Sequence, residues 1–279
     1  MLTHTLSKCR SAFLALIGLG ALLPAQGALA GDGGLKAVYE VYVGGFQVAR
    51  ADLDVDLYRD CFDVRLAAEP DGLVSFIADF KLISWAGGCS NGIGVEPSSY
   101  SSDYFKDGRK KRWVRVNYSG RDLPTVQAEP EAGEDDRDQV PGDLRAGSLD
   151  PLTGVFSIIE AVTREGRCSG EKPVYDGRRL FKLTLKHVGP AELRPSRYAA
   201  YAGPAIECVV SVEKVAGFKN NEIRKKHFPE KVRVFLAEAV EGVPLLPVRL
   251  EADYRFGKMR MHAAQIAPHP AATKETRSR

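Results

Sequence analysis

The sequence places one serine in a motif that is typical of hydrolases. Gly88-Cys89-Ser90-Asn91-Gly92 matches the G-x-S-x-G pattern, in which a serine nucleophile occupies a sharp turn between a strand and a helix. Gly92, Gly94 and Pro97 follow at once and disfavour the helix that this turn requires. We therefore predict that Ser90 is not a nucleophile, and a hydrolase is only the remote alternative for the function.

The other side chains that could perform acid–base chemistry or bind a metal are scattered. Asp52, Asp54 and Asp56 alternate with apolar residues, which places them on the solvent face of a strand, with no histidine nearby in sequence. The histidines show neither the spacing of metal ligands nor that of a catalytic triad; they are His187, His227, His262 and His269. No catalytic residue, cofactor or metal site is predicted, so we expect a protein that is not an enzyme.

The first thirty residues have the features of a secretory signal peptide. Lys8 and Arg10 precede an apolar run from Ala12 to Leu23, and Ala28-Leu29-Ala30 is typical of a cleavage site. The run is shorter than the roughly 20 residues of a membrane span. Cys9 precedes the run, so it cannot be the lipidated cysteine of a lipoprotein. We predict a periplasmic protein without a lipid anchor or a membrane-spanning segment.

Four cysteines lie beyond this segment, and their spacing favours disulfides over zinc. No two of them are separated by the few residues typical of a zinc knuckle. An even number of cysteines in an exported chain indicates disulfides, and four cysteines allow three pairings. We favour Cys61 with Cys89 and Cys168 with Cys208, because each pair joins neighbouring segments within one half of the chain.

The charge of the chain is nearly balanced. The 279 residues contain 39 basic and 36 acidic side chains, and the formal net charge is +3. This composition offers no field for nucleic acid, so no nucleic-acid partner is predicted. The basic run from Arg109 to Arg112 is expected at a solvated hairpin end, with contact to anionic lipid or a polyanion as the alternative.

The elements that must position these residues are mainly strands. Lys36 to Tyr58 predicts a hairpin with its turn at Gly44-Gly45, and the second strand alternates Ala51, Leu53, Val55 and Leu57 with acids. The clearest helix begins after Asp150 at Pro151 and ends before Gly166. Leu73 to Phe80 predicts a short helix that passes into a strand.

About ten strands predict one mainly β domain at residues 31–266. An antiparallel sheet of this length must curl, so we expect a half-open or closed barrel with one or two covering helices. A two-sheet β-sandwich is the alternative. Residues 119–147 are rich in Pro, Gly and acid and predict a flexible insert, and residues 267–279 predict a disordered tail.

Several motifs together resemble a family of bacterial exported proteins, the one known as domain of unknown function 3108. The shared motifs are the hairpin Tyr39–Gly45, the helix start Asp150-Pro151-Leu152, the turn Val174–Arg179 and the closing Leu246–Arg249 with Phe256-Gly257. The resemblance covers nearly all of the chain after the signal peptide. It implies an exported envelope protein and carries no catalytic residues.

These expectations favour a non-enzymatic binder or carrier of an apolar or amphipathic envelope component, such as a lipid or lipoprotein. A half-open barrel under a helix resembles, in architecture, the periplasmic lipoprotein carriers of the Lol type. Phe76, Phe80 and Trp85 are the candidate lid of a ligand cavity.

A scaffolding partner in envelope assembly is the alternative. Binding predicts an enclosed apolar cavity, scaffolding an open edge or exposed apolar patch, and catalysis a base beside Ser90. The oligomeric state is left open.

Overall fold

A computed structural model describes residues 33–270, except 121, 132–136, 220–228 and 255–256. In this part of the chain thirteen strands form one antiparallel sheet, in the order β7-β6-β5-β4-β3-β2-β1-β13-β12-β11-β10-β9-β8. The strands are β1 Gly33–Val43, β2 Phe46–Tyr58, β3 Cys61–Pro70, β4 Phe80–Ser90, β5 Val95–Lys106, β6 Arg109–Asn117, β7 Thr125–Glu129, β8 Glu171–Tyr175, β9 Leu180–Leu193, β10 Gly203–Ala216, β11 Lys231–Ala237, β12 Leu246–Tyr254 and β13 Gly257–Pro270. The sheet is strongly curved and not closed, and β7 and β8 are its edges. The predicted mainly β fold is therefore confirmed in its half-open form.

The hairpin of β1 and β2 sets the pattern of the two faces. Gly44 and Gly45 have φ angles of 58° and 93°, which suit a tight hairpin turn and strain other residues. Leu35, Ala37 and Tyr39 pair directly with Val55, Leu53 and Ala51. These side chains lie on one face of the sheet, which we call the helix face, and Asp52, Asp54 and Asp56 lie on the opposite face.

Helix α2, Pro151–Glu165, covers the helix face. The Asp150 carboxylate caps its first turn by accepting hydrogen bonds from the amides of Leu152 and Thr153, at 3.0 and 2.9 Å. The ring of Phe156 stacks on Phe62, with 4.0 Å between ring centroids. Farther along the helix, Ile158 and Val162 pack with residues of β9, β10 and β11. The apolar stripe predicted from the sequence therefore fills the concavity of the sheet.

Both predicted cysteine pairs are disulfides. Cys61 and Cys89 are bonded across neighbouring strands β3 and β4. Cys168, shortly after α2, is bonded to Cys208 on β10, and both are buried beside Val162. The second disulfide therefore ties the chain that leaves the helix to the sheet below it.

Two predicted boundaries differ from the structure. The segment 119–147, predicted as a flexible insert, contains β7 and the short helix α1, Gly142–Arg145, and Val140 is buried against Tyr175 and Leu180. The apolar residues Val126 and Val140 account for this order, although the composition around them is polar. Strand β13 continues to Pro270, four residues into the predicted tail, because Gly33 and Gly34 pair with Pro270 and His269. The predicted signal peptide, residues 271–279 and His227 lie outside the described residues.

Candidate functional site

A cleft on the opposite face combines cationic and aromatic side chains. It has a volume of about 250 Å³ and lies between β12, β13 and the loop 194–202, which joins β9 to β10. The backbone amide of Ala200 donates to the carbonyl of Ala263 at 2.8 Å and holds this loop over the strands. We call this site the arginine cleft; its charged and aromatic lining residues are Arg194, Arg249, Arg260, His262, Tyr198 and Tyr201.

Strand register places the cationic groups of the arginine cleft side by side. His262 on β13 is directly opposite Arg249 on β12 and Glu40 on β1. Arg260, two residues earlier on the same face, is opposite Tyr42 and Glu251. Directly opposed side chains lie about 5 Å apart at Cβ, so the pairing itself brings these groups into contact.

The positive charge of the arginine cleft exceeds the negative charge near it. Glu251 binds Arg249, lies 3.6 Å from Arg260 and also accepts a bond from Arg233 at 2.8 Å. Among the described residues that line the cleft there are three arginines and no carboxylate. Glu251 therefore pairs with two of the three lining arginines, Arg249 and Arg260. Arg233 lies outside the lining and also pairs with Glu207, and Glu40 lies opposite His262. The lining itself carries three guanidinium groups, which favours an anionic ligand.

Two buried nitrogen atoms at this site form no hydrogen bond within the described part of the chain. They are Nε of Arg249 and Nδ1 of His262. Burial lowers the pKa of His262, and the charges of Arg249 and Arg260 lower it further. The imidazole is therefore neutral at physiological pH, and Nδ1 can donate or accept a bond according to its tautomer.

Aromatic rings form one wall of the arginine cleft. The ring of Tyr198 lies 5.2 Å from that of Tyr42, edge to face, and 6.4 Å from the imidazole of His262, in a stacked arrangement. The hydroxyl of Tyr42 donates to Glu40 at 2.6 Å. Leu193 and Val248 complete the lining with apolar surface. The cleft thus offers both charge and apolar contact, as a site for an amphipathic ligand requires.

A second cleft lies along the free edge of β7. It has a volume of about 510 Å³, and both Arg145 and Arg178 line it, together with Glu129 and Glu131. Arg178 donates to the carbonyl of Pro130 at 2.5 Å, so it links this edge to the turn after β8. We call this second site the seam cleft. Because its two arginines are matched by two glutamates, it holds less excess charge than the arginine cleft.

Ser90 and the histidines occupy separate places. The Ser90 hydroxyl donates to Glu160 on α2 and accepts a bond from the amide of Gly92, at 3.2 Å, which joins the β4–β5 turn to the helix. Ser90 thus has a carboxylate base within reach, but no described histidine contacts it. His187 accepts from the amide of Cys168 at 3.4 Å. No helix follows Ser90, as the sequence predicts, because β5 begins at Val95.

One acidic residue of β2 has a partner that sequence reasoning missed. Nε2 of His269 lies 3.0 Å from Asp54, although 215 residues separate them. The imidazole reaches Asp54 across Gly34, where an added Cβ would lie 2.3 Å from the ring. Only the pairing of β13 with β1 creates this contact, and the one sequence signal is the glycine at position 34.

The three aromatic residues of the candidate lid do not share one site. Phe76 lies on a short 3-10 helix, Gly72–Phe76, and is 84 % exposed. Phe80 stacks on Tyr104 at 6.3 Å. Trp85 is opposite Arg65 and Ser101, on the face away from α2. None of them lines either cleft, so their role as a lid stays a prediction.

Comparison with known proteins gives a family and a fold. The family described as protein of unknown function DUF3108 matches residues 38–264. The chain belongs to this family. The crystal structure of a beta-barrel-like protein of domain of unknown function DUF1849 from Brucella abortus is similar to this DUF3108 protein, with a TM-score of 0.52 and 9 % identity over 86 % of this chain and 99 % of that chain. At this identity the likeness shows the fold alone. No curated protein matches the sequence.

Within the described ranges, the DUF3108 chain has no group of three or more His, Cys, Asp or Glu side chains that could hold a metal ion. Its helices there are all too short or too polar to cross a bilayer.

Proposed function

We propose that this DUF3108 protein is a non-enzymatic periplasmic binding protein that takes an amphipathic ligand with an anionic head in the arginine cleft. The observation that carries the proposal is the set of three arginines that line the cleft with no lining carboxylate, beside the unpartnered nitrogens of Arg249 and His262. Two disulfides support an oxidising compartment, and the predicted signal peptide supports export.

The size of the arginine cleft limits which part of the ligand it holds. Small-molecule sites commonly enclose about 300–1,000 Å³, whereas this cleft encloses about 250 Å³. A phosphate or carboxylate head with its first carbons fits this volume, and a long acyl chain does not. Arg249 and Arg260 would bind the head oxygens, and Leu193 and Val248 would contact the start of the tail.

The proposed ligand site is a cleft on the opposite face and not a deep cavity inside the curved sheet. Phe156, Ile158 and Val162 of α2 fill the helix face, so ligand binding is assigned to the opposite face. Glu160 and Ser90, the pair that could perform nucleophilic chemistry, are bonded to each other and do not line either cleft. Glu160 is the base beside Ser90 that catalysis predicts, but the pair lies outside both clefts and no described histidine contacts it. We therefore assign Ser90 a structural role in this proposal.

Calorimetric titration tests the proposal. The probes are dodecyl phosphate, below its micelle concentration, and dodecyl glucoside, which has the same tail and a neutral head. We expect saturable one-to-one binding of the phosphate and at least about tenfold weaker binding of the glucoside, since a charged hydrogen bond contributes about 1.5–3 kcal/mol. Equal affinity for the two probes, or no binding of the phosphate, would contradict the proposal.

A further inference from the structure

Four large apolar side chains are exposed at one end of the sheet. Because the strands form an antiparallel meander, the turns that follow β1, β3, β5 and β12 lie at the same end. Phe46, at the first of these turns, is 63 % exposed, and Leu73, Phe76 and Ile77, at the second, are 67 %, 84 % and 87 % exposed. We call these four residues the apolar rim. Apolar groups clustered in this way commonly mark an interaction surface.

Hydrogen bonds between the turns fix the apolar rim in place. The amide of Asp71 donates to the carbonyl of Val48 at 3.1 Å, and the Gln47 side chain donates to the Asp71 carboxylate at 2.8 Å. Gly72 has a φ of 61°, and an added Cβ there would lie 2.6 Å from the carbonyl oxygen of Gln47. The turns of the first and second hairpins are therefore packed together and present their apolar side chains without burying them.

Exposed cations stand next to the apolar rim. The amide of Asp107 donates to the carbonyl of Asp79 at 3.4 Å, which joins the β5–β6 turn to the segment that follows Ile77. The basic residues exposed at this turn are Lys106, Arg109, Lys110, Lys111 and Arg112. Lys110 pairs with Asp103, whereas no ion pair is formed by Lys106, Arg109 or Lys111 with any described residue. The described acids at this end are Glu69, which pairs with Lys81, then Asp71, Asp79 and Asp107, and Asp253 at the β12–β13 turn, where it lies opposite Lys258.

We infer that the apolar rim and the basic residues 106–112 dock the protein on the surface of a bilayer that contains anionic lipid. Interfacial binding requires apolar side chains that enter the headgroup region and cations that attract anionic headgroups. The apolar rim supplies the apolar side chains, and the adjacent β5–β6 turn supplies the cations. This inference does not depend on the arginine cleft, whose lining residues are all different.

Sedimentation with sucrose-loaded vesicles tests the inference. The protein is purified after expression of the full chain and mixed with vesicles of phosphatidylcholine, either alone or with phosphatidylglycerol. We expect the wild type to sediment with the mixed vesicles and much less with phosphatidylcholine alone. Wild-type protein that stays in the supernatant with both would overturn the inference, and the rim would then be assigned to contact with another protein.

Two pairs of variants separate the contributions. Phe76→Ser with Ile77→Ser should weaken partitioning at least about tenfold, because it removes two apolar groups. Its control is Ile93→Ser, at the opposite end of the sheet, where the side chain is 88 % exposed. Arg109→Gln with Lys111→Gln should weaken partitioning about 30-fold, since each cation contributes about 1 kcal/mol near an anionic surface. Its control is Arg167→Gln with Lys186→Gln, two exposed cations elsewhere.

The substituted residues of the rim, of the β5–β6 turn and of their controls are exposed, so these variants should fold. Arg249→Gln with Arg260→Gln, in the arginine cleft, should sediment like the wild type. The inference would be overturned if the rim variant sediments like the Ile93→Ser control. It would also be overturned if the cleft variant loses vesicle binding while the rim variant and the basic variant keep it.

Discussion

The helix face and the opposite face of the sheet differ in what covers them. On the helix face, α2 lies over the concavity, and Phe156 and Val162 fill it with apolar contacts. On the opposite face, the loop 194–202 folds back over β12 and β13 and leaves the arginine cleft between them. The apolar packing that stabilises the fold is therefore concentrated on the helix face, and the proposed ligand site lies on the opposite face.

The largest expected effect is on stability and arises on the helix face. Phe62→Ala removes a fully buried ring from its stack on Phe156. Phe→Ala substitutions in cores cost about 3–5 kcal/mol of unfolding free energy, and urea denaturation measures this loss. The matched control is Phe46→Ala, whose ring is largely exposed and whose effect should be within about 0.5 kcal/mol. Similar losses at the two positions would contradict the assignment of stability to the buried packing of the helix face.

The next effect is on binding and arises on the opposite face. Arg249→Gln removes a guanidinium that lines the arginine cleft and should weaken dodecyl phosphate binding about 10–100-fold, since a charged hydrogen bond contributes about 1.5–3 kcal/mol. Calorimetry gives the affinity, and thermal denaturation gives the stability, which should change little. The control is Arg145→Gln in the seam cleft, where Glu129 and Glu131 balance the arginines. If both variants bind equally weakly, the cleft is not the site.

A smaller effect concerns pH and again arises on the helix face. Burial raises the pKa of Asp150 from 3.8 to about 6. The folded state therefore holds this proton more tightly than the unfolded state does. The resulting stabilisation is present at low pH and is lost as the pH rises through about 6. Asp150→Asn keeps an oxygen for the amides of Leu152 and Thr153 but cannot ionise.

The stability of Asp150→Asn relative to the wild type should therefore rise by about 2 kcal/mol between pH 4 and 6 and level off above about pH 7. Urea denaturation at several pH values measures this difference. Asp143→Asn, at an exposed position in α1, is the control and should show no such rise. A difference that does not change with pH would show that Asp150 is ionised throughout.

Local sequence patterns were sufficient for most of the fold. The alternation at Ala51–Leu57 placed the acids of β2 on the solvent face, and Asp150, Pro151 and Gly166 defined α2 to within a residue. Strand β7 was missed because its five residues lie in a segment rich in Pro, Gly and acid. That composition predicted a flexible insert, and an apolar–polar alternation over five residues is too short to indicate a strand on its own. Its edge position also gives it a partner on one side only.

The arginine cleft could not be predicted in this way. Arg249, Arg260 and His262 follow no motif along the chain, and their proximity depends on the register of β12 with β13. Tyr198 joins them through a loop that crosses the face of the sheet, which no periodicity encodes. A basic run such as Arg109–Arg112 is visible in the sequence, but the exposed residues Phe76 and Ile77 beside it are brought there by the pairing of hairpins.

Native mass spectrometry of the protein, purified gently from a periplasmic extract and followed by organic extraction, shows whether the arginine cleft carries a ligand. We expect a stoichiometric amphiphile with an acidic head that is released on unfolding and is absent from the variant with Arg249→Gln and Arg260→Gln. A bare protein mass, with no uptake when dodecyl phosphate is added, would rule out the proposed ligand site and favour a scaffolding role.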